Sequence, residues 1–146
     1  MKRDNLFLGL ASLILILVIF GPYAVSSGYF LTVDWIYADK LWPVETLYYP
    51  NQYPWILLQG WLSEIIPAFI VQKIVLAGLL LLSFSSTAFL LRRSNASNRW
   101  LILVGMIFFV FNSFFYARFA QGQVYLLLGH ALLPYVLGYW LYARDR

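Results

Sequence analysis

The chain contains no cysteine and a single histidine, His130. Disulfides, iron–sulfur clusters and thiolate zinc sites are therefore excluded, and one histidine without a thiol cannot assemble a catalytic zinc centre. Charge is scarce too: Asp, Glu, Lys and Arg together make 11% of the 146 residues, against about a quarter in soluble domains. The glycine-rich phosphate loop, the G-x-S-x-G elbow and the H-E-x-x-H pair are all absent, so the chain lacks the usual sequence devices of nucleotide, ester and zinc-protease chemistry. None of its acids lies deep within an apolar run. A proton-coupled transporter would need an intramembrane carboxylate there. No internal repeat or low-complexity tract interrupts the sequence.

What the chain does have is apolar surface. It is 62% hydrophobic and 20% aromatic, and apolar stretches of about 18 or more residues with few charges are read as membrane spans. The net charge of +4 does not point to nucleic acid, because the basic residues sit at the ends of apolar runs rather than along one face. The expected fold is an all-α membrane protein, one transmembrane domain over residues 1–146, with about four spans at 6–25, 71–91, 100–115 and 124–142. The first span competes with a cleaved signal peptide, since a basic start and Ala24-Val25-Ser26 resemble a cleavage site. Its length favours a retained span, with Gly21-Pro22 expected to bend or end the helix.

An outer loop over 28–55 follows, and then a short interfacial helix over 55–66, with Trp55, Leu58 and Leu62 at helical spacing. Pro67 restarts the chain into the second span, leaving Lys73 near a surface where it can snorkel. Asn112 to Gln123 reads as a second outer turn. With both termini on one side, that side carries Lys2, Arg3, Arg92, Arg93, Arg99, Arg144 and Arg146, whereas Lys40, Lys73 and Arg118 face the other. Seven against three places both termini in the cytoplasm of a plasma-membrane protein. The sequon Asn95-Ala96-Ser97 then lies inside, away from glycosylation.

Chemistry concentrates on the outer side. The loop holds Asp34, Asp39 and Glu45 among nine aromatic residues. Neighbouring carboxylates can hold a divalent cation through hard oxygen ligands, or one can act as a general base. They serve equally as the polar residues of a membrane loop, Asp39-Lys40 being a solvated pair. Arg118 is the lone arginine of the outer face, beside Asn112, Tyr116, Gln121 and Gln123. A guanidinium fork suits a phosphate or carboxylate and amides suit a polar ligand, while an interfacial anchor on lipid phosphates is the simpler role. His130 lies about two turns inside the fourth span, where it can approach a ligand of Arg118 or hydrogen-bond a neighbouring helix.

The cytoplasmic start, the single span, the long outer loop with an early acid in VDWIYAD and the interfacial helix resemble the amino-terminal part of a GT-C-fold membrane glycosyltransferase. The segment NSFFYARFAQGQVYLLLGHALLP, from Asn112 to Pro134, resembles a stretch of prokaryotic multi-span proteins of this kind. The resemblance implies Asp34 as catalytic base or metal residue with Asp39 as its second, and Mg or Mn as the cation. It implies a polyprenyl-phosphate sugar as donor, with Arg118 on its phosphate; Gln121, Gln123 and His130, read from the residues alone, are the further candidate binding residues. Such enzymes have more spans, so the chain reads as a truncated or split enzyme, or a relative without catalysis. The alternative is a small non-catalytic membrane subunit or scaffold, docking a protein partner, another copy or a membrane lipid through its aromatic outer loop.

Overall fold

The computed structural model describes residues 2–25, 53–121 and 123–144. Asp34, Asp39 and Glu45 lie outside the described residues, as does most of the 28–55 loop. Every described element is helical: α1 (Lys2–Val25), α2 (Tyr53–Ile65), α3 (Ala68–Arg93), α4 (Arg99–Val110), α5 (Ser113–Gln121) and α6 (Val124–Arg144). The protein is an all-α membrane protein. Among the described residues, three helices are long and apolar enough to cross a bilayer by themselves, within α1, α3 and α6, and α4 with α5 forms a fourth if the bent pair is one span.

The bundle is organised around α3, which packs most extensively on α6, then on α4, and also meets α1 and α2. Periodicity explains the arrangement. The core takes Leu8, Ile16 and Phe20 from α1, Ile102, Met106 and Val110 from α4, and Val124, Leu127, Ala131, Pro134 and Gly138 from α6. These residues recur every three or four positions (or twice four), so each set forms one stripe on its helix. The remaining faces are equally apolar: Leu17, Val18, Phe108, Val136 and Trp140 are all exposed. A helix apolar all round belongs in lipid. Small residues permit close approach on the inner side. A Cβ added to Gly138 would fall 2.6 Å from Cε1 of Phe89, and one added to Gly105 would fall 2.5 Å from Cδ1 of Leu91.

Ser83, Ser86 and Thr87 are buried on α3. Each hydroxyl donates to a carbonyl of its own helix: Ser83 to Leu79 at 2.8 Å, Ser86 to Ser83 at 3.1 Å and Thr87 to Ser83 at 2.8 Å. None of these three hydroxyls is thus stranded in an apolar interior, where it would be costly.

Helix boundaries follow local chemistry. Pro67 stands at the N-cap of α3 with φ −51° and ψ 132°, separating α2 from α3. At the far end of α3 the N–H of Ala96 donates to the Leu91 carbonyl and that of Asn95 to the Arg92 carbonyl. Asn95 itself has φ 62°. This is a Schellman closure, with Asn as a non-glycine residue that tolerates the left-handed conformation. Asn98 then caps α4, its side chain accepting from the N–H of Trp100 at 2.9 Å.

Of the two outcomes open to Gly21-Pro22, the helix does not end there: α1 carries Pro22 internally and runs on to Val25, the expected limit of the first span. One expectation is corrected by the fold. The third span is not continuous over 100–115, and 112–123 is not an open turn. Instead α4 stops at Val110, and α5 occupies most of the segment assigned to the turn, at 47° to α4. Twelve residues reach only about 18 Å, short of the roughly 30 Å hydrocarbon core, so α4 cannot cross without α5.

A polar corner at the broken helix

The break is closed by one side chain. Asn112 donates through Nδ2 to the carbonyl of Phe109, one of the last in α4, and accepts through Oδ1 from the N–H of Phe115 at 2.8 Å. A helix interrupted within a membrane must find partners for its freed backbone groups. Asn112 supplies both, ending one helix and capping the next.

The bend brings α5 against α6, and with it three of the residues singled out in the sequence. Arg118 donates through Nη1 to Oε1 of Gln123 at 2.6 Å, across the α5–α6 corner. Its guanidinium lies over the ring of Phe114, 5.4 Å from the centroid. Phe114 in turn lies 5.3 Å from the imidazole of His130. His130 stacks on Phe109, with centroids 4.2 Å apart and planes 6° from parallel, and its Nε2 lies 3.4 Å from the Phe109 carbonyl oxygen. Arg118, Gln123 and His130 therefore belong to one chain of contacts running inward from the corner, linked by Phe114. The backbone of Gln121 closes α5, while its side chain lies outside the described residues. Phe109 and Phe114 were not anticipated as members. Their partner on α6 is distant in sequence, and only the bend makes the encounter.

A cavity of about 600 Å³ lies beside this corner, lined by Phe20, Leu80, Val110, Asn112, Tyr116 and Phe119 among others. It borders the α1–α3 side of α5, whereas Arg118 turns toward α6. Among the described residues no three His, Asp or Glu side chains gather as a metal-ligating group.

The two ends of the bundle differ in charge. Arg92 bonds the side chain of Asn5, Arg99 lies over Phe7, and Arg93 lies over Tyr142. The start of α1, the α3–α4 connector and the end of α6 thus share one end, which carries Arg92, Arg93, Arg99 and Arg144. The opposite end has Lys73 and Arg118 among described side chains. No protein-family model, curated protein or solved structure matches the chain.

Proposed function

We propose that the chain is a glycosyltransferase-like module of the plasma membrane that holds a polyprenyl-phosphate-linked sugar at the outer leaflet, with both termini in the cytoplasm. The single observation in its support is the Arg118–Gln123 pair at the α5–α6 corner, 2.6 Å apart, at the end of the bundle poorer in cations. A guanidinium held by a neutral amide keeps its full charge for a phosphate. An excess of arginine at the other end is the pattern of a cytoplasmic face.

In this reading Asp34 takes the proton of the acceptor hydroxyl as the acceptor oxygen bonds to the sugar's anomeric carbon. The bond from that carbon to the phosphate breaks, and Arg118 receives the charge left on the polyprenyl phosphate. In the alternative role, Asp34 and Asp39 would hold a Mg or Mn ion, whose charge would add to that of Arg118.

The test is transfer of sugar from a polyprenyl-phosphate donor by the chain in vesicles. Asp34→Ala is expected to abolish transfer and leave insertion intact, and Arg118→Gln to weaken donor binding more than Arg118→Lys. Transfer unaffected by Asp34→Ala removes the catalytic role. The exposed aromatics of the same corner, Phe111, Phe114 and Tyr116, favour a second reading, a non-catalytic subunit that docks a protein partner. Crosslinking from position 116 to another protein, together with no donor binding, selects it.

A further inference from the structure

A second cleft, of about 310 Å³, opens at the arginine-rich end between α1, α3 and α4. Asn5, Gly9 and Ser12 form its α1 wall, at i, i+4 and i+7, and Leu81, Ser85 and Arg92 lie along its α3 wall. From Arg92 to Leu81 is eleven residues, or about 16 Å of helix. That is about half of a hydrocarbon core roughly 30 Å thick, the depth of one leaflet.

The lining changes character along this length. Deep in the cleft the polar groups already have partners within the protein: Ser12 donates to the Leu8 carbonyl at 2.8 Å, and Ser85 donates to the Leu82 carbonyl at 3.0 Å and accepts from the Tyr135 hydroxyl at 3.1 Å. Leu81 and Met106 complete an apolar interior. At the mouth stands Arg92, the one arginine among the cleft's lining residues. One of its guanidinium nitrogens donates to Asn5, which ties the side chain across the opening. The fork carries five N–H donors in all. Gly9 leaves its stretch of the wall open, since nothing lies within 4 Å of an added Cβ.

The geometry points to this cleft as the seat of one anionic phospholipid, its phosphate on Arg92 and an acyl chain laid between Gly9 and Leu81. Charge and length both select this occupant: the mouth is cationic, and the apolar run matches a single leaflet. Basic pockets between transmembrane helices are a recurrent form of headgroup recognition. The inference is independent of the Arg118 corner, which lies at the other end of the bundle.

The experiment uses the full chain purified in neutral detergent, incubated with phosphatidylglycerol or phosphatidylcholine, with retained lipid counted by native mass spectrometry. Phosphatidylglycerol is expected to be retained in preference, and Arg92→Gln to lower its retention about tenfold. Arg144→Gln, a loss of charge at the same end but outside the cleft, should retain it fully. Gly9→Leu fills the groove and should displace both lipids. Equal retention of the two lipids overturns the proposal, and so does Arg92→Gln behaving as the unaltered chain. Gly9→Leu that abolishes a dimer without changing lipid retention also overturns it, because a second copy then fills the cleft. Should Gly9→Leu fail to fold by circular dichroism, Arg92→Gln alone decides.

Discussion

The imidazole of His130 lies flat on the ring of Phe109, 4.2 Å between centroids, and its Nε2 reaches toward the carbonyl oxygen of that same residue. One side chain of α6 thus grips α4 through both ring and backbone, just where α4 gives way to α5. Stacking of this kind contributes about 0.5–1.5 kcal/mol beyond burial. His130→Ala is therefore expected to destabilise the bundle by about 2–3 kcal/mol, and His130→Phe, which keeps the ring, by about 1 kcal/mol. Reversible unfolding in mixed micelles measures both, and His130→Phe as damaging as His130→Ala would show that the polar contact dominates.

Asn112 is the hinge pin of the broken helix. Asn112→Ala removes the donor to Phe109 and the cap on Phe115 together, at an expected cost of about 1–2 kcal/mol. Asn112→Asp keeps the acceptor alone and should fall between the two. Unfolding free energies in the order Asn, Asp, Ala check this; alanine equal to asparagine would mean that water serves the break instead.

Close packing of α6 on α3 rests on Gly138. A Cβ there would meet Cε1 and Cδ1 of Phe89 at 2.6 and 2.9 Å, with the Cα of Leu90 at 3.5 Å, so Phe89 must move. Gly138→Ala should cost about 1–3 kcal/mol. At Gly78 and Gly129, where nothing lies within 4 Å, the same change should stabilise by up to about 1 kcal/mol through helix propensity. Pairing Gly138→Ala with Phe89→Leu should recover part of the loss, as a double-mutant cycle in micelles would reveal.

Topology can be read on a clean background, because the chain has no cysteine of its own. Ser97→Cys sits on an exposed residue of the α3–α4 connector, and Glu45→Cys lies in the long loop. With intact cells and a membrane-impermeant maleimide, position 45 should label and position 97 should not. The reverse result would invert the orientation and move Arg118 to the cytoplasmic leaflet.

Much of the membrane architecture was legible because it depends on composition: long apolar runs fold as helices wherever they must cross lipid. Arg118 and Gln123 could be associated from sequence because five residues and one corner separate them. The bend was not legible. The stretch FFVFNSFFYARF has neither glycine nor proline, and its Asn-Ser pair reads as a polar turn when it is in fact a cap that starts another helix. The His130–Phe109 stack was hidden for the same reason, since it joins residues 21 apart that meet only after α5 folds back on α6.

The hydroxyls of Ser83, Ser86 and Thr87 bear on how the bundle is made. As each is satisfied within α3, the helix can leave the translocation machinery and enter lipid before α4 and α6 have been synthesised. These three hydroxyls need no chaperone to shield them while it waits. The later helices then assemble on a template already seated in the bilayer, and that template is the element with the most neighbours.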